Sequence, residues 1–310
     1  MRVVSLLPSA TEMVAALGAL ETLVGVTHAC DHPPMVASRL RVTRSAVSGT
    51  EAPGIVDAQV RAIAASGEPL YTLLEDRIRR LHPDLLLTQA LCEVCAVMET
   101  DVRALAARLE PPPRVLTLSA SSLDGVFDDL TRVGAALDRA DEAEEFLAGA
   151  RARLRAVHDT LKAARAPRPR VAVIEWGEPV YAAGHWVPEM VRRAGGVDAL
   201  AKPGAHSVVV DLAAVRAADP EVLLVAPCGY DLARAAAEGD RLLALDDWAW
   251  ARAKRVWAVE ANALVSRPGP RLVDGIECFA RIFNPSLFTP IEPEFARPLT
   301  ADVRDPQRTT

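Results

Sequence analysis

The side chains of this chain best suited to bind a metal or to carry thiol chemistry are concentrated in two short segments. His28-Ala29-Cys30-Asp31-His32 combines two imidazoles, a thiol and a carboxyl group, and Cys92-Glu93-Val94-Cys95 is a Cys-x-x-Cys pair. Thiolates and imidazoles are ligands that zinc and other transition metals prefer, and a Cys-x-x-Cys pair is also typical of redox-active thiols. Three interpretations are therefore open: a bound transition metal, a functional thiol pair, and plain packing of small side chains. The candidate metal ligands are Cys30, His32, Cys92 and Cys95.

A second set of side chains is suited to hold a bulky organic ligand. Trp176 ends a β-branched run, and His185 with Trp186 precedes an apolar segment of helical spacing. Aromatic rings at the mouth of a pocket supply much contact area at a low entropy cost, although each tryptophan is equally compatible with a place in the core. The complete set of candidate ligand contacts is Ser9, Thr11, His28, Cys30, Asp31, His32, Gln89, Cys92, Cys95, Trp176, His185, Trp186, Tyr230 and Arg267.

Short β-branched runs alternate with Ala- and Leu-rich stretches of helical spacing, which predicts an α/β fold. The runs are continuously apolar, as parallel strands covered on both faces require. Most candidate ligand contacts follow such a run, where open α/β sheets place ligand groups. Ser9 as N-cap and Glu12 at N3 predict a helix that ends near Gly18. The predicted strands are Arg2–Leu7, Leu23–Thr27, Leu85–Thr88, Arg114–Leu118, Arg170–Glu175, Glu221–Ala226 and Arg255–Glu260.

The middle of the chain predicts one long helix that joins two α/β lobes. Residues 140–165 contain no proline and many strong helix formers, which gives a rod of about 39 Å. Two shorter helices that bend at Gly149 are the alternative interpretation. We expect an N-terminal lobe over residues 1–120, connecting helices over 121–168, and a C-terminal lobe over 169–310 with a polar tail.

Composition and charge argue against several classes of protein. The net charge is −6 and half of the residues are hydrophobic, which argues against a nucleic-acid binder and against disorder. No apolar run approaches the roughly 20 residues of a membrane span. Phosphate-binding, nucleophile-elbow, dinucleotide and zinc-protease motifs are absent from the sequence, so we expect no enzyme. The N-terminus enters the first strand without a signal peptide, which predicts a cytoplasmic protein, or an extracytoplasmic one if the chain lacks its native leader.

Several motifs, in order and spacing, resemble the class III periplasmic binding proteins, which serve ABC importers of vitamin B12, siderophores and haem. The first is Val4-Ser5-Leu6-Leu7-Pro8-Ser9-Ala10-Thr11-Glu12. Pro83-Asp84-Leu85-Leu86-Leu87 and Gly184-His185-Trp186-Val187-Pro188-Glu189 also match, and the cobalamin-binding subgroup is the most similar.

The resemblance implies two Rossmann-like lobes with mainly parallel sheets, one long helix between them, and a ligand cleft between the lobes. It implies a substrate-binding protein, expected to be a monomer, that captures a bulky ligand for an ABC permease. A corrinoid is the first candidate ligand, and a metal siderophore or haem is the next. Apart from the transition metal considered above, no cofactor is expected. Asp76 and Glu189 match the acidic positions that dock on the permease. The Cys- and His-rich loops depart from the family pattern. They keep an alternative open, a cytoplasmic metal- or thiol-dependent protein that uses Cys30, Cys92 and Cys95.

Overall fold

A computed structural model describes residues 1–47, 53–90 and 97–300 of the chain. These residues form two compact units, Met1–Gly149 and Ala150–Thr310, and each is described by itself.

Unit 1 is built on a parallel sheet of the order β3-β2-β1-β6-β7. Val3 of β1 lies beside Leu23 on one edge and beside Leu85 on the other. A separate antiparallel pair, β4 with β5, joins Ser45 to Tyr71. The strands are β1 Val3–Ser5, β2 Leu23–Val26, β3 Leu40–Arg41, β4 Thr43–Ser45, β5 Tyr71–Leu73, β6 Leu85–Gln89 and β7 Arg114–Leu118.

The central strands of this sheet are buried on both faces, as their continuous apolar runs predict. Val3, Val4 and the leucines 85–87 are at most 1% exposed. Helices cover the sheet, and the burial of their apolar sides stabilises the unit at about 25 cal/mol per Å². The helices are α1 Pro8–Ala16, α2 Pro53–Ser66, α3 Glu75–Leu81, α4 Glu99–Ala106, α5 Leu123–Leu137 and α6 Ala140–Ala163.

The predicted start of the first helix is wrong. Helix α1 begins at Pro8, its N-cap is Leu7, and no side chain caps it. Proline suits the first helical position because its missing N–H would have no partner there and its φ angle is already helical. Ser9 and Glu12 are consequently buried members of the helix rather than a capping box.

Helix α6 is continuous through Gly149, where the two units meet along the chain. Gly149 is exposed, and a Cβ placed on it would touch nothing within 4 Å. Ala143, Leu147, Ala150, Leu154 and Val157 are buried. Their spacing of three or four residues is that of one side of a helix.

Unit 2 has a mixed sheet of the order β11-β9-β8-β12-β13-β14, with β10 beside the start of β8. Strands β8, β12 and β13 are parallel, whereas β9, β11 and β14 add antiparallel pairs at the edges. Their bounds are β8 Arg170–Gly177, β9 Val180–Ala182, β10 Val197–Asp198, β11 Val208–Val209, β12 Val222–Val225, β13 Arg255–Val259 and β14 Ala296–Pro298.

Helices pack around this sheet as well, and Phe279 of the last one is fully buried. The α/β fold class and the two-lobed organisation expected from the sequence are confirmed. No helix of the described residues is long and apolar enough to span a membrane. The helices of unit 2 are α7 Val187–Arg193, α8 Leu212–Ala217, α9 Leu232–Ala244, α10 Ala261–Leu264 and α11 Leu272–Phe283.

Candidate functional site

In unit 1, the loop after β2 places Cys30 inside the protein. Its Sγ lies 3.1 Å from Thr11 Oγ1 and 3.7 Å from Thr27 Oγ1, and the residue is 2% exposed. Arg41 fixes the loop, because its guanidinium donates to the carbonyl oxygens of Thr27 and Cys30 at 2.9 and 2.7 Å. A buried thiol held by hydroxyl groups packs as a small apolar side chain and reacts slowly.

His28 in the same loop is exposed but held in place. Its backbone N–H donates to Thr43 Oγ1 at 3.0 Å, and its Nδ1 lies 2.8 Å from the same oxygen. The imidazole stacks on Tyr71, with ring centres 5.5 Å apart. Partial burial, and then the positive charge of Arg41, lower the pKa of His28. The imidazole is therefore neutral and able to act as a ligand at neutral pH.

Tyr71 is a site residue that the sequence analysis missed. It reaches His28 because β4 and β5 pair, a contact between residues far apart in the chain. No local sequence pattern indicates that two such distant residues are in contact.

The other candidate residues of unit 1 divide by exposure. Ser9 and Thr11 are at most 2% exposed, whereas Asp31 and His32 lie at the surface and Gln89 is half-buried at the end of β6. Cys92 and Cys95 lie outside the described residues.

Within residues 1–47, 53–90 and 97–300, no group of three or more His, Cys, Asp or Glu side chains is placed to hold a metal ion. The four-ligand site predicted from the sequence stays a prediction.

In unit 2, Trp176 and Tyr230 meet at the carboxyl ends of β8 and β12. The rings contact edge to face with centres 5.6 Å apart, and the guanidinium carbon of Arg234 lies 3.8 Å from the centre of the Tyr230 ring. Trp176 is half-buried, and Tyr230 is 5% exposed. The structure thus brings together two residues that the sequence analysis selected separately, and adds Arg234, which it missed.

The turn between β9 and α7 carries a polar cluster. The Gly184 N–H donates to Ser207 Oγ at 3.1 Å, and Ser207 also hydrogen-bonds the carboxyl group of Glu175. Burial raises the pKa of Glu175, and the hydrogen bond from Ser207 opposes that shift only in part. His185 Nε2 lies 3.2 Å from His206 Nδ1. Ser207 and His206 gave no sequence signal, because the segment that carries them has no helical or strand periodicity.

Trp186 and Arg267 are both buried in unit 2. The indole N–H of Trp186 donates to the carbonyl oxygen of Val265 at 2.7 Å, and the residue is 5% exposed. Arg267 is 7% exposed in the segment after α10. This geometry favours a structural role for Trp186 over the stacking role expected from the sequence.

The two residues expected to dock on a permease differ in their surroundings. Asp76 in α3 has an 88% exposed side chain, whose carboxylate forms an ion pair with Arg79 at 3.1 Å. The Glu189 side chain is only 8% exposed and forms ion pairs with Arg192 and Arg193 of its own helix. Only Asp76 presents its carboxylate to solvent.

Known proteins resemble this chain over most of its length. A periplasmic haem-binding protein from Pseudomonas aeruginosa is 25% identical, with a TM-score of 0.71 over 96% of this chain and 97% of that chain. The haem-binding protein RhuT from Roseiflexus sp. RS-1, in its apo form, is 22% identical, with a TM-score of 0.68 over 93% and 99%. The vitamin B12-binding protein BtuF of Vibrio cholerae is 22% identical, with a TM-score of 0.61 over 92% and 97%. A comparison with curated protein sequences gave no match.

A family model described as periplasmic binding protein matches residues 3–255. Proteins of this family bind small ligands and deliver them to ABC permeases, and the family is one of solute-binding proteins rather than enzymes. The resemblance inferred from the sequence motifs is confirmed. The chain belongs to the periplasmic binding protein family.

Proposed function

We propose that this chain is the substrate-binding protein of an ABC uptake system and that its ligand is a metal tetrapyrrole, haem in the first place. The observation that carries the proposal is the stacked pair of His28 and Tyr71 beside the carboxyl end of β2. Histidine and tyrosine are both axial ligands of haem iron in proteins.

The surroundings of His28 suit an axial ligand. Thr43 holds Nδ1 at 2.8 Å, which leaves Nε2 as the ring nitrogen for a metal. A fixed partner on the far nitrogen orients an imidazole ligand and sets its tautomer. The lowered pKa of His28 keeps the ring neutral, so that a proton does not compete with the metal at neutral pH.

The aromatic pair of unit 2 supports the same ligand class. Half-buried Trp176 offers ring surface at the strand ends, with buried Tyr230 packed against it, and aromatic surface suits a large planar macrocycle. Arg234, over the ring of Tyr230, adds a positive charge that suits the carboxylates of haem. A corrinoid, the ligand expected from the sequence, is the second candidate, because a vitamin B12-binding protein is among the similar structures.

The alternative of a cytoplasmic metal- or thiol-dependent protein finds less support. It needs an accessible Cys30, whereas this thiol is buried between Thr11 and Thr27.

Delivery of the ligand to a permease needs a docking surface on the binding protein, and we propose that exposed Asp76 contributes to that surface. Asp76→Ala is then expected to lower uptake of the ligand in cells without changing its affinity for the isolated protein; unchanged uptake would remove Asp76 from the docking surface.

Titration of the purified protein with haemin and with cobalamin tests the ligand. We expect one haem per chain with a shifted Soret band, and at least tenfold weaker binding in His28→Ala or Tyr71→Phe. His158→Ala is the matched control, because His158 is an exposed histidine of α6, and it is expected to bind haem like the wild type.

The other outcomes are equally decisive. Tight cobalamin binding without haem binding would replace haem by a corrinoid. Binding of neither ligand, with a ferric siderophore bound instead, would refute the tetrapyrrole proposal. Haem binding that survives in both His28→Ala and Tyr71→Phe would refute the role of this pair.

A further inference from the structure

His185 and His206 form an imidazole pair outside the His28 site. His185 Nε2 and His206 Nδ1 are 3.2 Å apart, and the rings are perpendicular, with centres separated by 5.1 Å. His185 is half-buried and His206 is exposed, so that solvent and small ions reach the pair. Neither the tetrapyrrole proposal nor the Cys- and His-rich loops of unit 1 account for it.

Backbone hydrogen bonds hold the segments that carry the two histidines side by side without the help of an ion. The His185 N–H donates to the carbonyl oxygen of Ala205 at 2.6 Å, and the Gly204 N–H donates to the carbonyl oxygen of His185 at 2.9 Å. His185 itself has a φ of 54°, in the left-handed region that side chains other than glycine seldom adopt. Such a conformation persists only where the surrounding contacts determine it.

The spacing of the two rings matches that of two ligands on one tetrahedral ion. With metal–nitrogen bonds of 2.0–2.1 Å, two tetrahedral imidazole nitrogens lie about 3.3 Å apart, and their ring centres about 5.2 Å apart. The observed separations of 3.2 and 5.1 Å agree with both values.

We propose that His185 and His206 chelate a divalent transition-metal ion that prefers imidazole and adopts tetrahedral geometry, Zn²⁺ in the first place, for which Cu²⁺ serves as a spectroscopic probe. His185 binds through Nε2 and His206 through Nδ1, and in each ring the proton resides on the other nitrogen. Water fills the remaining positions of the ion, which makes the site open and exchangeable, unlike the closed four-ligand sites of structural zinc.

Burial also affects the acid–base properties of His185. Burial, and then the charge of His206, lower the pKa of His185, so the ring is neutral and its nitrogen is free of competing protons. Glu175, which reaches this turn through Ser207, has a raised pKa because it is buried. We therefore assign the ion to the two imidazole nitrogens.

Calorimetric titration with Cu²⁺, and separately with Zn²⁺, tests the site on full-length protein without tetrapyrrole. The thiols are first alkylated, so that Cys92, Cys95 and the exposed Cys228 cannot contribute. We expect one ion per chain, with at least tenfold weaker binding in His206→Ala. His158→Ala, which removes an exposed histidine from α6, is the control and is expected to bind the ion like the wild type.

Electron paramagnetic resonance of the Cu²⁺ complex supplies the second readout. We expect hyperfine structure from two nitrogens in the wild type and from fewer in His206→Ala, whose folding is checked by its tryptophan fluorescence. Equal affinity of His206→Ala and wild type would overturn the proposal, as would an equal loss in His158→Ala. Because the titration uses the metal alone, a failure of haem binding leaves its result unchanged.

Discussion

Replacing Gly184 by alanine tests whether the β9–α7 turn is as closely packed as the structure shows. A Cβ at this position would lie 2.4 Å from the carbonyl carbon of His206 and from the backbone nitrogen of Ser207. These atoms are backbone and cannot rotate away, so the 205–207 segment must move. That movement breaks the hydrogen bonds from Gly184 to Ser207 Oγ and from His185 to Ala205.

The expected cost follows from these two effects. Overpacking of a dense interior costs about 1–3 kcal/mol, and each lost hydrogen bond adds about 1 kcal/mol. Gly184→Ala should therefore lower the free energy of unfolding of unit 2 by about 3–5 kcal/mol. The assay is urea unfolding followed by tryptophan fluorescence, which reports on unit 2 alone because all five tryptophans lie in it.

Gly239→Ala in the same unit is the matched control. Its Cβ would meet only the tip of the Leu299 side chain, at 2.2 Å, with Val225 next at 3.5 Å. A leucine tip can turn aside, and alanine favours the helix by about 1 kcal/mol over glycine. We expect Gly239→Ala to stay within about 1 kcal/mol of the wild type. Equal free energies of unfolding for the two variants would refute the reasoning.

Three further outcomes follow from burial. Thiol labelling of the native protein at about pH 8 should modify Cys228 rapidly and spare Cys30 and Cys278, because both are buried and burial raises the pKa of Cys278 to about 12; mass mapping that finds Cys30 labelled as fast as Cys228 would contradict its placement. Burial raises the pKa of Glu175 above the usual 4.5. The protonated carboxyl group therefore stabilises the folded protein, and this stability is lost as the pH rises through the pKa that Glu175 has in the folded state. The free energy of unfolding of Glu175→Gln, relative to wild type, should therefore rise between about pH 4 and pH 8, and a constant difference would contradict the shift. Trp186→Phe should lower the free energy of unfolding by about 2 kcal/mol and leave haem affinity unchanged, whereas weaker haem binding in the folded variant would restore its predicted ligand contact.

Much of the fold could be predicted from local patterns in the sequence. The apolar runs became β1, β2, β6, β7, β8, β12 and β13, because a parallel strand inside a covered sheet is largely apolar; β7, at the edge of its sheet, is only partly buried. The motifs around Pro8 and Gly184 predicted the family, which the family model confirms over residues 3–255. Seven short strands were missed, since two or three residues carry no periodicity of their own. They are β3, β4, β5, β9, β10, β11 and β14.

The candidate site depended on contacts that only tertiary structure decides. The sequence by itself selected His28, His185, Trp176 and Tyr230, because imidazoles and aromatic rings after apolar runs are suited to ligands. Their partners Tyr71, Ser207 and His206 come from segments that fold back from elsewhere in the chain. Whether a selected side chain is accessible was likewise not readable from the sequence. Burial results from packing in three dimensions, and packing exposed His28 while it enclosed Cys30 and Trp186.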